Sequence, residues 1–219
     1  LGTDATGTLK LDDAEIGYLS NGFSSITLGS ATGTGAMAVN FATVPTFADN
    51  LVIRSSSGAI TAVDTIDTAT NTLTISSGGA VSVAGITSGT LAITGTGITL
   101  NGNITTSGTQ TYTGAVTLGG SVTAASTGVS ANGNNISFGS TINGTSANTQ
   151  SLTLNAGTTG VISVTGAVGG STTLATLTLA NSYQFTFSGA VTTGTEISIS
   201  KSVMGNGSTF EGNVSTATL

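Results

Sequence analysis

Short segments in which apolar and polar residues alternate recur along this chain at intervals that average about 21 residues. The alternation, as in Leu-Thr-Ile-Ser-Ser, places apolar side chains on one face of a strand and hydroxyl side chains on the other. A period of this length is typical of a solenoid, in which each repeat forms one turn. The segments begin at Leu51, Leu73, Leu91, Thr111, Val129, Leu152, Leu177 and Ile197.

Inside each repeat, a glycine-rich turn separates the first short strand from a second one, most clearly in 81–89, 98–108 and 162–170. These strands are too short for a wide sandwich, in which ~5–6 residues per strand are usual. They suit the sides of a coil whose turns stack at ~4.8 Å. The sequence therefore predicts an all-β, right-handed parallel β-helix (a β-solenoid) with about 10 turns of about 21 residues, roughly 50 Å long.

Asn-Gly pairs that begin at Asn101, Asn132 and Asn143 fall at candidate turns of the repeats. Asparagine and glycine both tolerate the left-handed backbone conformation that a sharp turn needs. We therefore expect a corner of the solenoid at each of these pairs.

The first fifty residues have a different pattern from the repeats. Ile16 and Leu19 stand at helical spacing behind a group of acidic residues, and Phe23, Phe41 and Phe47 supply almost half of the phenylalanines. An open solenoid end exposes unpaired strand edges, so we expect an atypical terminal unit to cap it. Residues 1–50 are thus assigned to an N-terminal cap or atypical first turns, and residues 51–219 to β-helix turns in one continuous domain. A junction with a preceding repeat is the alternative for the first segment.

The scarcity of charge excludes several classes of function. Three Lys and Arg residues against nine Asp and Glu residues give a net charge of -6, which leaves no basic patch for nucleic acid. No apolar run approaches the ~18 residues of a membrane span. Without cysteine or histidine there is no thiolate nucleophile, no imidazole base and no Cys/His zinc site. We expect no nucleic-acid partner, no membrane insertion and no cofactor.

Four stretches, 11–29, 51–55, 103–120 and 152–170, carry a resemblance to a known type of protein. They resemble the repeats of filamentous-haemagglutinin-like and β-strand-repeat bacterial surface proteins. The resemblance covers most of the chain. It implies a secreted β-helical segment of an adhesin, an autotransporter passenger or an extracellular filament, and it supplies no catalytic residues.

The acidic residues come closest to forming a binding site. Asp12, Asp13 and Glu15 carry the oxygen ligands that Ca²⁺ prefers, and Asp64 with Asp67 do the same. Neither group follows the spacing of an EF-hand or the glycine-rich repeat of a calcium β-roll. We expect solvated acids, and the residues from which a calcium site could be built are Asp12, Asp13 and Glu15.

An enzyme is not expected. Sugar hydrolysis needs two acids that face one glycosidic bond, and the later turns hold only Glu196 and Glu211. Arg54 and Lys201 are isolated in the sequence, so a lyase would lack a base beside its acids.

Threonine pairs and glycosylation sequons are the remaining polar features. Threonines two residues apart occur in 72–74, 109–113 and 176–178, and a flat ladder of such pairs would bind ice. Because the pairs do not recur in every turn, we interpret them as ordinary threonine ladders on a polar face. Asn-x-Ser/Thr sequons are expected by chance in this composition, and they begin at Asn103, Asn135, Asn143, Asn206 and Asn213.

The ends of the solenoid are where we expect function, because unpaired end turns can add to the next copy by strand pairing. The expected role is that of a structural extracellular protein of the bacterial cell surface, a rigid stalk or a self-assembling filament or adhesin segment that associates end to end. The alternative is an adhesin module that binds a glycan or a host receptor along the side of the helix. The candidate joining residues are Leu1, Leu9, Leu11, Val214 and Leu219.

Overall fold

The fold is an all-β solenoid. The computed structural model describes residues 13–19, 21–41, 43–200 and 207–216, which form one five-residue helix and 19 strands. Every strand pair among these residues is parallel. The chain winds into about 8 turns of about 22 residues. The parallel β-helix expected from the repeats is therefore confirmed, with fewer turns than expected.

The elements are short and follow one another closely. Longer strands pass round a corner and belong to two faces, as β7 does with a shift of register between Thr94 and Gly97. The elements are α1 Asp13–Gly17, β1 Ile26–Gly29, β2 Met37–Val39, β3 Leu51–Ser55, β4 Ile60–Asp67, β5 Leu73–Ser77, β6 Val81–Ser88, β7 Leu91–Leu100, β8 Ile104–Thr106, β9 Gln110–Leu118, β10 Val122–Ala125, β11 Ile136–Phe138, β12 Ile142–Gly144, β13 Leu152–Asn155, β14 Val161–Val164, β15 Leu174–Asn181, β16 Gln184–Phe187, β17 Val191–Ile199, β18 Thr209–Phe210 and β19 Val214–Thr216.

Three parallel ladders run the length of the solenoid, one on each face. The first face starts at β1 and β3 and ends at β16 and β18. The second face starts at β2 and β4 and ends at β17 and β19. The third face contains β8, β10 and β13 and ends with the last residues of β17. At ~4.8 Å for each turn, the described residues make a rod about 40 Å long.

Inward-facing side chains stack in apolar columns along these ladders. On the first face one column runs from Ile26 through Leu51 and Leu73 to Leu91, and all four side chains are buried. The column exists because each strand alternates buried and half-buried residues, as the sequence pattern predicts. Burial of each such side chain contributes roughly 1.5–3 kcal/mol.

The segments aligned from the sequence fall into two columns on different faces. Those that begin at positions 51, 73 and 91 stack on the first face, as expected, whereas those at 152, 177 and 197 stack on the third. Val129 belongs to no strand and is 68% exposed. The aligned segments change face because the long corners 126–135 and 145–151 lengthen two successive turns. These insertions also explain why fewer turns fit into the chain.

Of the Asn-Gly pairs expected at corners, those at Asn101 and Asn132 lie at corners. Asn101 directly follows β7, and Gly133, in the corner before β11, has a φ of 67°. The expectation is wrong for Asn143, which lies within β12. There the following Gly144 faces inward, and a Cβ at this position would lie 2.6 Å from the Gln150 side chain. The glycine thus makes room for a buried amide.

Buried hydroxyl groups line the inside of the corner between the third and first faces. Ser126 Oγ donates a hydrogen bond of 2.6 Å to the carbonyl oxygen of Asn134, and Thr106 Oγ1 donates one of 2.6 Å to that of Gly108. Thr68, Thr106 and Ser126 thus satisfy carbonyl groups where the chain turns, whereas the Ser88 and Ser182 hydroxyls have no hydrogen-bond partner among the described residues. The buried hydroxyl residues at this corner are Thr68, Ser88, Thr106, Ser126 and Ser182.

One layer in the middle of the rod carries polar side chains inside the core. Gln110 occupies an inward position and donates from Nε2 to the carbonyl oxygen of Ala125, at 2.9 Å, and to Thr106 Oγ1, at 3.2 Å. Tyr112 donates from its hydroxyl to Gln110 Oε1 at 2.9 Å. The Tyr112 ring stacks on Phe138 at a centroid distance of 4.5 Å. The hydrogen bonds thus lie within one coil of the chain, and the stacked rings join it to the next turn.

Close stacking of turns makes a sharp prediction for two glycines. A Cβ at Gly102 would overlap the carbonyl oxygen of Ala84 in the turn above, whereas nothing lies within 4 Å of one at Gly97. We expect Gly102→Ala to lower the free energy of unfolding by about 1–3 kcal/mol. Gly97→Ala, the matched control in a strand, should leave it unchanged or raise it by about 0.5–1 kcal/mol. Urea denaturation followed by circular dichroism measures both, and equal effects would contradict the packing argument.

Candidate functional site at the ends of the solenoid

Exposed large apolar side chains are concentrated at the ends of the described solenoid. Five of the eight lie in the first turn or the last rungs. The three others lie at corners along the side, at Val63, Val129 and Tyr183. Clustered apolar exposure of this kind marks interaction surfaces, whereas single exposed residues need no explanation. The five are Tyr18, Phe23, Val44, Ile199 and Val214.

At the C-terminal end, the last described strands offer free edges. Within the described residues, β18 pairs with β16 alone and β19 with β17 alone. Val214 stacks on Val191 but is 48% exposed. Phe210 is half-buried, and its ring lies 5.1 Å from the rings of both Phe185 and Phe187. This end thus combines strand edges with apolar side chains.

The N-terminal end is covered by α1 and the loop that follows it. Ile16 and Leu19 pack against the same core as the inward columns. The buried Asp49 accepts a hydrogen bond at Oδ1 from the backbone N–H of Gly22, at 3.2 Å, and so holds the loop onto the first turn. Asn50 donates from Nδ2 to the carbonyl oxygen of Ser24 at 3.1 Å.

Of the candidate joining residues, only Val214 lies within the described residues. It forms the start of β19, on the second face of the last rung. Leu1, Leu9, Leu11 and Leu219 lie outside the described residues. End-to-end joining through these residues stays a prediction. The sequence pattern did not indicate Ile199 and Phe23, whose exposure is seen only in the folded chain.

The candidate calcium ligands are partly within the described residues. Asp12 lies outside them, Asp13 begins α1, and Glu15 in the same helix is exposed. Among the described residues no three acidic side chains are grouped so that they could hold a metal ion. Because Asp12 lies outside the described residues, a calcium site formed by Asp12, Asp13 and Glu15 stays a prediction.

The second acidic pair stabilises corners of the fold. Asp64 Oδ2 accepts a hydrogen bond from the backbone N–H of Phe41 at 2.8 Å. Asp67 accepts one at Oδ1 from the backbone N–H of Ala69, at 2.7 Å, and one at Oδ2 from Thr46 Oγ1, at 3.1 Å. These contacts account for the acids as structural groups that tie the first turns together.

Charge is confined to the two ends of the chain. No Asp, Glu, Lys or Arg occurs between residues 68 and 195. Seven of the nine acids and two of the three cations lie in the first 67 residues, which carry a net charge of -5, and the last 24 residues carry -1. Glu196 lies in β17 on the third face, and Glu211 follows β18 on the first face. The sides of the central turns are thus uncharged.

Asparagine side chains connect successive turns, a role that the sequence analysis did not anticipate. Their Oδ1 atoms accept hydrogen bonds of 2.9 Å from backbone N–H groups one turn further along the chain. Three of them belong to sequons, so those asparagines have a structural role. The pairs are Asn50 with Thr72, Asn103 with Thr123, Asn135 with Val161 and Asn143 with Ser171.

The threonine pairs lie on two faces. Residues 72–74 and 109–113 belong to the first face, and 176–178 to the third. Thr74 and Thr111 stand two turns apart with Ala92 between them. The hydroxyl ladder is therefore interrupted, as expected.

A shallow groove of about 230 Å³ lies along the corner between the third and first faces. Ala69, Thr70, Thr105 and Val129 are among its lining residues. The groove spans four successive turns because the corner 126–135 protrudes beyond the shorter corners before it.

The described part of the chain holds no helix with the length and apolar character to span a bilayer.

The comparisons with known proteins do not assign the chain to a family. No family model, no curated relative and no solved structure matches it. The resemblance drawn from the repeats thus stays a prediction, and function must be argued from the geometry of the ends and of the sides.

The asparagine contacts can be separated from glycosylation by one pair of variants. Asn135→Ala removes the acceptor for the Val161 N–H and should lower the free energy of unfolding by about 0.5–1.5 kcal/mol. Asn135→Asp keeps a carboxylate acceptor and should lose less. Both variants destroy the sequon, so equal urea-denaturation midpoints for the two would contradict a structural role.

Tyr112 predicts how stability depends on alkaline pH. Complete burial raises the pKa of its hydroxyl above the ordinary value of about 10. Below that pH both the folded and the unfolded chain keep the proton. Above it only the unfolded chain releases the proton, so the free energy of unfolding falls by about 1.4 kcal/mol per pH unit. Tyr112→Phe has no hydroxyl to titrate, so its free energy of unfolding, measured by urea denaturation between pH 9 and about 11, should fall less steeply with pH. An equally steep fall in the variant and the parent chain would contradict the burial of a protonated Tyr112 hydroxyl.

Proposed function

We propose that this chain is a structural rod that associates with copies of itself through its ends and serves as a stalk or filament segment outside the cell, on the bacterial surface. The observation that carries the proposal is the clustering of exposed apolar side chains at the ends. These side chains accompany terminal strands that pair on one side only within the described residues. Free strand edges beside apolar side chains favour strand addition by another chain.

The body of the rod suits a mechanical role. Its backbone groups are joined from turn to turn in three continuous ladders, and asparagine side chains add further links. Stability of this kind needs no disulfide and no ion pair, in keeping with a chain that has no cysteine and no charge between residues 68 and 195. The extracellular location is supported by this composition and by the resemblance to repeats of bacterial surface proteins.

The corner groove favours a second candidate function, that of an adhesin module acting along the side of the rod. Thr70 and Thr105 supply hydroxyl and methyl groups there, and Val129 supplies an exposed apolar rim. A neutral groove with such a lining suits an uncharged glycan rather than an anionic ligand. Retention of the monomer on a glycan array, lost in Thr105→Lys, would favour this candidate.

End-to-end association is tested by placing charge at the C-terminal end. The double variant Ile199→Lys/Val214→Lys replaces two apolar side chains that association should bury with charged lysines. It should raise the dissociation constant at least tenfold, which corresponds to about 1.4 kcal/mol of association free energy. The measurement is sedimentation velocity over a concentration series, with negative-stain electron microscopy of the same samples.

The control carries the same kind of change on the side of the rod. Val129→Lys replaces a valine that is more exposed than Val214 and lies far from either end, and it should leave the association unchanged. A parent chain that stays monomeric at every concentration would refute the proposal, as would equal weakening by the end and side variants.

A further inference from the structure

Between residues 68 and 195, where the chain has no charged residue, three asparagines are followed by glycine, at Asn101, Asn132 and Asn143. Asparagine before glycine is chemically labile, because the glycine nitrogen can attack the side-chain amide carbon and no Cβ obstructs its approach. The attack closes a succinimide ring and requires the side-chain amide to turn towards the glycine nitrogen. Hydrogen bonds that hold the amide elsewhere must break first, so the contacts of each amide decide which pair reacts.

The side-chain amides of Asn101 and Asn143 are held by hydrogen bonds to neighbouring turns. Asn101 Nδ2 donates to Ser82 Oγ at 3.0 Å and to the carbonyl oxygen of Val83 at 3.3 Å. Asn143 Oδ1 accepts a hydrogen bond of 2.9 Å from the backbone N–H of Ser171. Turning either amide towards the following glycine would break these bonds, so the fold protects both asparagines from attack.

The Asn132 side chain is exposed at the corner before β11, and its amide is held much less firmly. Within the described residues, Nδ2 donates no hydrogen bond, and Oδ1 accepts a single long one, of 3.4 Å, from Thr158 Oγ1. The Asn132 carbonyl oxygen accepts a bond of 2.8 Å from the Thr159 N–H, which fixes the backbone of the corner but not the amide. The Gly133 N–H donates a bond of 3.2 Å to the carbonyl oxygen of Ser130. Of the three pairs, Asn132 thus has the amide with the greatest freedom to turn.

We propose that Asn132 is a site of spontaneous deamidation, a covalent modification that converts its neutral amide into a carboxylate. The Gly133 nitrogen bonds to Asn132 Cγ while the Cγ–Nδ2 bond breaks, and the proton of that nitrogen leaves with the amide NH2 group as ammonia. Water then opens the succinimide ring at either of its carbonyl carbons, which gives aspartate or isoaspartate. The reaction needs water as its only co-reactant and changes no oxidation state.

The products place a negative charge in turns that otherwise carry none. Gly128 and Val129 of the same corner line the groove, so the charge arises beside a neutral surface. Isoaspartate also lengthens the backbone by one carbon next to Gly133, where even an added Cβ would overlap the carbonyl oxygen of Ala156. We therefore expect aspartate at position 132 to leave the corner in place and isoaspartate to disturb its packing on the next turn.

Deamidation rates at each asparagine, in the folded chain and in guanidinium, test this inference. Both samples are kept at neutral pH and then digested with pepsin in acid, which suppresses further deamidation, and mass spectrometry quantifies each Asn-Gly peptide. In guanidinium the three pairs should react at similar rates, because their local chemistry is the same. Folding should slow Asn132 at least about tenfold less than Asn101 or Asn143, because its amide has no short hydrogen bond to break.

Ser82→Ala is the matched control for the role of the amide contacts. It removes one acceptor of Asn101 Nδ2, so it should raise the rate at Asn101 and leave the rate at Asn132 unchanged. An isoaspartyl methyltransferase, which labels isoaspartate alone, should label position 132 in the aged parent chain. Equal or greater slowing at Asn132 than at the other two asparagines, or aspartate without isoaspartate, would overturn the inference. Circular dichroism verifies that the variant retains the solenoid.

Discussion

Hydrogen bonding between successive turns is the constraint on which the rest of this structure depends. Each rung must lie at ~4.8 Å from its neighbours along three ladders, so every outward column places side chains of successive turns directly on top of one another. A column of like charges at this spacing would repel, which accounts physically for a central region without charged residues. The same spacing requires glycine where the backbone of one corner touches the next, as at Gly102 above Ala84.

The interior solves a second problem, which is how a repetitive sequence keeps one register. Apolar columns of Leu, Ile and Val tolerate a shift of one turn, because one turn offers much the same surface as the next. Tyr112 does not, since its ring stacks on Phe138 of the next turn. Its hydroxyl donates to Gln110, whose amide donates to the carbonyl oxygen of Ala125, so hydrogen bonds within one coil of the chain hold the ring in place.

Backbone pairing between turns also distinguishes the sides of the rod from its ends. Along the sides, the backbone N–H and C=O groups are already paired, and the side chains are short and neutral. A strand from another chain therefore finds no unpaired backbone groups there. The terminal rungs keep one free edge each within the described residues, and Val214 and Ile199 add apolar surface beside those edges.

The sequence by itself determined the fold class, because period-2 alternation in short strands with glycine-rich turns leaves a stacked coil as the solution. It also placed corners at Asn101 and Asn132 and marked Val214 as a terminal strand residue. It could not assign the segments at 152, 177 and 197 to the third face, since the lengths of the corners 126–135 and 145–151 shift the phase without changing the local pattern. Only the tertiary structure decided on which face these later segments lie. It also decided the hydrogen bonds of Asp64, Asp67 and Asn135 and the exposure of Ile199, because each depends on what lies one turn away along the axis.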